Sequence, residues 1–269
     1  MKSALTKYFR LDVNLAELSS KEWFSKPKHP LCDALLQAKA ARGVVGLRLL
    51  QQSQHEVLFS FICSQNNHVS RIASMVETLC KTYGSRVGDA FGVAWFAFPS
   101  LIQLTKAKED DLRAKGFGYR AKYIVGSCEA LQSRKVVLAP QARGFAEVRE
   151  SLMKLPGVGR KVADCITLFS SPNPTTNGFE AASIVPFDIH MARITQRILR
   201  NCKLSAIGKK ADWHHAVQDL QNRLKTAKPE ATLTLLPKHH DALQQLYFEA
   251  FGPFAGWAHN YIFRNQLLG

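Results

Sequence analysis

The chain has 269 residues, 46% of them hydrophobic, enough for one large domain or two lobes with a buried core. The balance of 36 Lys and Arg against 21 Asp and Glu gives a net charge of +15. That points to a polyanionic partner, nucleic acid before an anionic membrane surface. No apolar run approaches the ~20 residues of a membrane helix, and the first residues lack a signal-peptide core. The 6 cysteines are scattered without close pairs, which excludes a zinc ribbon or a local Fe–S ligand set.

Residues 1–54 read as short helices around loops, with Leu15, Leu18 and Trp23 as one apolar set and Leu35, Leu36 and residues 44–50 as others. The dense apolar run Val57 to Ile62 predicts a buried helix. Five polar residues follow, Ser64, Gln65, Asn66, Asn67 and His68, and then Val69, Ile72, Val76 and Leu79 recur at helical spacing. A polar elbow therefore joins two buried helices, with Asn67 placed to cap one of them. Residues 84–110 read as linking helices, with Trp95 and Phe98 in the core. Gly116-Phe117-Gly118 then interrupts the chain before Tyr119-Arg120-Ala121-Lys122-Tyr123. This pattern suits either a glycine helix stop followed by a core tyrosine, or an aromatic and an arginine presented to a base stack.

Residues 155–164 read Leu-Pro-Gly-Val-Gly-Arg-Lys-Val-Ala-Asp. Pro156 stops a preceding helix, and Gly157 and Gly159 let the chain turn within a few residues. A second helix starts near Lys161 and runs through Val162, Ile166 and Phe169. The bare backbone N–H groups at its start form a ready phosphate site. Lys161 sits in its first turn, where the helix dipole and neighbouring Arg160 disfavour a cation. A neutral amine there is a nucleophile able to form a Schiff base; the spacing suits a phosphate contact equally well. Cys165 lies four residues on, so it shares the face of Lys161. A small buried thiol is the plain expectation for it.

The stretch 170–183, rich in Ser, Pro, Thr and Asn, reads as a surface loop. After it, Val-Pro-Phe-Asp-Ile-His (185–190) places Asp188 just before the amphipathic run Met191, Ile194, Ile198. Aspartate there is a good helix N-cap. A carboxylate beside a lysine nucleophile also stabilises cationic charge on a sugar, and one aspartate can do both. Lys161 and Asp188 are 27 positions apart, so the fold must throw the intervening loop outward to bring them together. Residues 201–238 are basic and irregularly patterned; Lys209, Lys210, Lys225, Lys228 and Lys238 read as a solvated face. Leu243, Leu246, Tyr247 and Ala250 start a helix ending at Gly252-Pro253, and a last helix spans about 255–267 with Trp257, Tyr261 and Phe263.

The hairpin, its lysine and the Val-Pro-Phe-Asp-Ile-His segment together resemble the helix-hairpin-helix glycosylase superfamily. Within it, Lys-Val-Ala-Asp-Cys (161–165), Phe-Ser-Phe-Ile-Cys-Ser-Gln-Asn-Asn (59–67) and Gly-Tyr-Arg-Ala-Lys-Tyr (118–123) resemble the eukaryotic 8-oxoguanine DNA glycosylases. The match runs from about residue 7 to the C-terminus. The resemblance implies an all-α fold over residues 1–269: two helical lobes with a cleft between them, and the hairpin (about 150–170) on the cleft's rim. It implies a bifunctional glycosylase and AP lyase that removes 8-oxoguanine opposite cytosine. Lys161 would be the Schiff-base nucleophile, with Asp188 stabilising the oxocarbenium sugar and helping to position it. Cys165 and Phe263 would sandwich the flipped base in a pocket shared with Phe169 and His259. Asn66, with Asn67 beside it, would enter the space the base leaves. Arg71 and Arg120 would read the orphaned cytosine, Tyr119 would wedge the stack, and Gly157, Gly159 and His190 would meet phosphates. The chemistry needs no metal or organic cofactor. The implied partner is double-stranded DNA containing an oxidised purine, with no membrane, a monomeric enzyme, and the nucleus, then the mitochondrion, as compartment.

Two departures bear on substrate. The family has an N-terminal β-rich domain that supplies a carbonyl recognising the hydrogen on the oxidised guanine's imidazole nitrogen, and this chain begins after it. The family's glutamine at the Watson–Crick edge aligns with His259, whose neutral ring offers one donor and one acceptor. Both features favour a glycosylase for another damaged purine as an alternative, and a chain lacking a domain could also be a non-catalytic DNA-binding fragment that keeps the hairpin and its charge.

Overall fold

The computed structural model describes residues 2–18, 23, 29–40, 46–136, 138, 145–170, 182–203 and 213–268. In chain order the elements are α1 (Lys2–Tyr8), α2 (Leu15–Glu17), α3 (Pro30–Ala40), α4 (Gln54–Ser64), α5 (Val69–Tyr83), β1 (Arg86–Ala90), β2 (Val93–Phe96), α6 (Leu101–Leu104), α7 (Glu109–Ala114) and α8 (Arg120–Gln132). They continue with α9 (Phe145–Leu152), α10 (Arg160–Ser170), α11 (Ile189–Asn201), α12 (His214–Thr226), α13 (Pro237–Phe251) and α14 (Ala255–Leu268). The fold is all-α, with one two-stranded hairpin among the described residues. Most of the loop read at 170–183, together with Val44, Lys209 and Lys210, lies outside the described residues.

The chain forms two compact units, residues 52–170 and residues 1–51 with 171–269. The first is organised around α4. Ser53 starts this helix, its Oγ accepting the Glu56 N–H at 3.2 Å. The apolar run behind it is buried at Val57, Leu58, Phe59, Ile62 and Cys63. Each such side chain taken out of water stabilises the fold by about 1.5–3 kcal/mol before the entropy of ordering it is subtracted. Against α4 lie α10, α5 and α8. Burial is almost complete along α10 from Val162 to Leu168, which places the lysine-bearing helix in the core rather than on a loop.

Residues 84–110 depart from the expectation of linking helices. Arg86 to Phe96 is an antiparallel hairpin with Ala90 opposite Val93. Its two-residue loop, Phe91-Gly92, has φ of +55° and +75°. Positive φ at both central residues matches the natural twist of a hairpin. Trp95 is not core: it is 56% exposed and donates its indole N–H to the Ala90 carbonyl at 3.3 Å. Phe98 is half-buried, stacked 6.5 Å from Phe59.

The second unit packs α3 against α11, α13 and α14, with Trp23 and Trp257 in its core. Here the basic stretch conceals a helix. α12 buries Val217, Leu220, Gln221 and Leu224, an i, i+3, i+4, i+7 stripe, while Lys225, Lys228 and Lys238 stay exposed as expected. Arg200 closes the C-terminal end of α12, donating to the carbonyls of Leu224 at 2.5 Å, Lys228 at 3.0 Å and Ala231 at 3.1 Å. Gly252 ends α13 with φ +62°, directly before Pro253.

Candidate active site and nucleic-acid interface

The hairpin is built by three helices. Between α9 and α10, Val158 N–H bonds to the Leu155 carbonyl at 3.1 Å. Gly157 takes φ +75°, and a Cβ there would meet the Tyr123 ring of α8 at 2.4 Å. Glycine is therefore required both by backbone angle and by space. Ser127, also on α8, donates its hydroxyl to the Pro156 carbonyl at 3.2 Å. An ion pair joins the two helices of the motif: Arg149 Nε on α9 lies 2.7 Å from Asp164 Oδ1 on α10, with both groups buried.

Lys161 is half-buried in the first turn of α10. Its Nζ lies 4.7 Å from the centre of the Phe61 ring. An aromatic face attracts an ammonium and fixes where it sits. Phe169 also packs on Phe61, 5.6 Å ring to ring and tilted. Phe61 thus bridges two residues singled out from the sequence. It was hidden inside the apolar run 57–62, and only its half-burial in the structure separates it from the core. Cys165, one turn beyond Lys161, is 3% exposed.

The elbow gathers the remaining residues of this unit. Asn66 is exposed, with φ +45°. Asn67 closes α4 by donating Nδ2–H to the Cys63 carbonyl at 3.0 Å; the N-cap of α5 is His68, whose ring accepts the Arg71 N–H at 3.4 Å. Val69, counted with the core by spacing, is exposed at the start of α5. Arg71 is exposed and donates Nη2–H to the Gly116 carbonyl at 3.0 Å. Tyr119, 43% exposed, donates its hydroxyl to the Gln65 carbonyl at 3.1 Å. Arg120 is only 4% exposed, and its guanidinium is directed at backbone instead of outward. It donates Nε–H to Gln65 O at 3.1 Å and Nη2–H to Asn66 O at 3.0 Å, and Nη2 also contacts Gln65 O.

In the other unit, Asp188 is the N-cap of α11. Its Oδ1 accepts the His190 N–H at 2.9 Å and the Met191 N–H at 2.8 Å. One carboxylate oxygen makes both capping bonds, so Oδ2 is not engaged in holding the helix. The segment before it is pinned by Gln244, which bonds the Val185 N–H at 2.9 Å and the Val185 carbonyl at 2.7 Å. Phe187, packed 5.5 Å from Tyr247, fixes the direction of entry into α11. His190 is exposed, its ring edge-on to Phe263 at 6.4 Å. His259 is buried, with Nδ1 2.6 Å from the Gly256 carbonyl. A carbonyl only accepts, so Nδ1 carries a hydrogen.

The structure therefore brings together Asn66, Tyr119, Arg120 and Gly157 around Gln65, and Lys161 and Phe169 around Phe61. Separately it joins His190 to Phe263 on the helix that Asp188 starts. Gly159 is exposed at the foot of α10. No group of three or more His, Cys, Asp or Glu among the described residues could hold a metal ion. No described helix is long and apolar enough to cross a membrane.

A helix-hairpin-helix with a lysine in its second helix, and an aspartate capping a later one, defines a class of DNA-repair folds. Residues 59–207 match the model of the HhH-GPD superfamily of base excision DNA repair proteins, and the chain belongs to that family. It is 34% identical over 282 residues to an N-glycosylase/DNA lyase of Saccharomyces cerevisiae, covering 100% of this chain and 67% of the relative. It is also 34% identical over 269 residues to N-glycosylase/DNA lyase OGG1 of Arabidopsis thaliana, covering 98% of this chain and 62% of the relative. The chain thus spans about two thirds of the length of these curated relatives. The same fold occurs in the Clostridium acetobutylicum 8-oxoguanine glycosylase/lyase solved with double-stranded DNA containing cytosine opposite 8-oxoguanine. The TM-score is 0.69 at 24% identity, over 97% of this chain and 73% of that one.

Proposed function

We propose that this chain is a DNA N-glycosylase with AP lyase activity, and that it removes 8-oxoguanine opposite cytosine. The observation that carries this reading is Lys161, half-buried at the start of the hairpin's second helix with Nζ against the Phe61 face. The names of the two curated relatives support the reaction class, and the net charge of +15 supports a DNA partner.

The chemistry follows from the residues. Bending the duplex lets the exposed Tyr119 enter the stack, and the damaged nucleotide leaves it. In this reading Cys165 and Phe263 are each contacts of the flipped base. As the bond from C1′ to the base breaks, positive charge grows on the sugar, and Asp188 Oδ2 stabilises it. Lys161, once its ammonium has given up a proton, attacks C1′ and the base departs with the bonding electrons, taking up a proton. Ring opening gives the Schiff base. Loss of a C2′ proton then expels the 3′ phosphate and nicks the strand. One copy of the chain serves one lesion, in the nucleus.

The test is borohydride trapping of the chain and of Lys161→Gln on duplex DNA with 8-oxoguanine opposite cytosine, with undamaged guanine as control. A covalent adduct on the lesion, absent from Lys161→Gln while that variant still binds DNA, is the expected result. An adduct that survives the substitution removes the nucleophile assignment. Absence of an adduct with the parent chain removes the reading itself.

His259 favours a second reading, a glycosylase for other damaged purines. The resemblance puts this ring where the family's glutamine meets the Watson–Crick edge, and an imidazole offers a different donor and acceptor geometry from an amide. Trapping on ring-opened and alkylated purines separates the two readings.

A further inference from the structure

The resemblance gives Gln65 no role of its own, yet the elbow motif that contains it, the Tyr119-Arg120 turn and the hairpin all meet on it. It leaves α4 with φ −63° and ψ 124°. Its backbone carbonyl accepts from Tyr119 Oη–H at 3.1 Å and from Arg120 Nε–H at 3.1 Å, with Arg120 Nη2 also in contact. Its side-chain Nε2–H donates to the Gly157 carbonyl at 2.6 Å. The next residue, Asn66, is held at φ +45° with its own carbonyl on Arg120 Nη2 at 3.0 Å. One residue thus ties the elbow, the Tyr119-Arg120 turn and the hairpin loop together. Lys161 lies four residues beyond Gly157, and the Tyr123 ring leaves Gly157 no lateral room. A shift of that carbonyl is therefore passed along the short loop into the first turn of α10.

We propose that Gln65 is a positioning residue that couples recognition of the base opposite the lesion to the placement of Lys161; this rests on the glycosylase reading above. Arg120 has a limited set of N–H donors, and the elbow carbonyls now hold several of them. Cytosine presents two acceptors, N3 and O2, and competes for the same fork. When Arg120 turns to cytosine, the Gln65 and Asn66 carbonyls lose donors and the elbow relaxes. The Gln65 amide carries that movement to Gly157. An opposite base with a poorer acceptor edge draws Arg120 less, and the hairpin keeps its resting position. The coupling is the difference in interaction between the two elbow arrangements, which is all that such a switch can use.

The experiment measures single-turnover excision and duplex affinity for the parent chain, Gln65→Leu and Gln65→Glu, with 8-oxoguanine opposite cytosine and opposite adenine. Gln65→Leu keeps the bulk and the backbone carbonyl but removes the donor to Gly157. We expect its affinity to stay within about twofold of the parent, because the contact is internal. Its rate opposite cytosine should fall about tenfold, equivalent to ~1.4 kcal/mol, while its rate opposite adenine hardly changes, so the preference for cytosine shrinks. In Gln65→Glu a carboxylate faces the Gly157 carbonyl and repels it. Protonation restores an O–H donor, so this variant's rate relative to the parent should recover as pH falls towards the glutamate range at about pH 4. Equal losses opposite both bases, or no loss opposite cytosine, would overturn the coupling. A parent chain that excises nothing refutes the glycosylase reading and the coupling with it, an outcome distinct from an active parent whose variant is unchanged.

Discussion

Asp164 sits on α10 one turn from Lys161, and replacing it tests how firmly the hairpin's helices are held. Its carboxylate is 1% exposed and takes the Arg149 Nε–H at 2.7 Å. The Arg149 guanidinium also lies 4.0 Å from the centre of the Phe145 ring. Asp164→Leu removes one charge and leaves the other buried beside a hydrocarbon. Stranding a buried charge in this way costs about 3–5 kcal/mol, more than the pair itself contributes over well-packed apolar residues. The double variant Arg149→Met, Asp164→Leu should recover most of the loss, because it removes both charges of the pair. Urea denaturation followed by circular dichroism reads both. With a slope of ~3 kcal/mol per M, the single variant moves the midpoint down by about 1 M or more. Excision should fall in parallel, since α10 carries the nucleophile. If Asp164→Leu unfolds within ~1 kcal/mol of the parent, or the double variant is no more stable than the single, the ion pair does not clamp the motif.

Gly157→Ala combines a left-handed backbone penalty with overlap on the Tyr123 ring; it should cost at least about 2 kcal/mol, falling to ~1 in a Tyr123→Ala background. A smaller cost in both backgrounds would show that the loop can rearrange. Asp188→Asn separates cap from chemistry, because asparagine caps as well as aspartate. Stability should change by less than ~0.5 kcal/mol while single-turnover excision drops about a hundredfold; intact excision would leave Asp188 a cap only. Hydrogen bonds from Lys238 and His239 hold the Asp219 carboxyl down at about 2. A depressed folded-state value means that its stabilisation is complete above the unfolded carboxylate range near pH ~4 and is lost as pH falls towards 2. Thermal midpoints of the parent should therefore drop more steeply across that window than those of Asp219→Asn, and parallel curves would contradict this.

The parts of the site that rest on local geometry were legible in the sequence. The two glycines and the lysine announced the hairpin, and Asp188 before an amphipathic run announced its N-cap. What escaped depended on long-range contacts. Gln65 looks like one polar residue among five, and nothing in its spacing says that its amide reaches a carbonyl 92 positions away. Phe61 sits inside a dense apolar run, where the near-unbroken hydrophobicity erases the period that would distinguish a half-buried ring from a core one. The hairpin of residues 86–96 was misread because Trp95 and Phe98 suggested core helices, yet Trp95 is exposed. Its signal was the Phe91-Gly92 pair, an unusual choice for a loop that more often uses Asn-Gly or Asp-Gly. α12 was hidden by the basic composition of residues 201–238 around it, although the helix itself holds a single lysine, Lys225, beside its apolar stripe.

The interrupted layout of the second unit sets an order of events during synthesis. Residues 52–170 are contiguous, so this unit can close once residue 170 has left the ribosome. α3 is made earlier, yet its neighbours α11, α13 and α14 all belong to residues 171–269. At about 5–20 residues per second those last residues take ~5–20 s to emerge. For that interval the nascent chain carries a finished hairpin and lysine, while Leu31 and Leu35 of α3 wait without the helices that later bury them. A translation stall in this window would leave a folded fragment with an exposed apolar helix upstream, the kind of intermediate that chaperones retain.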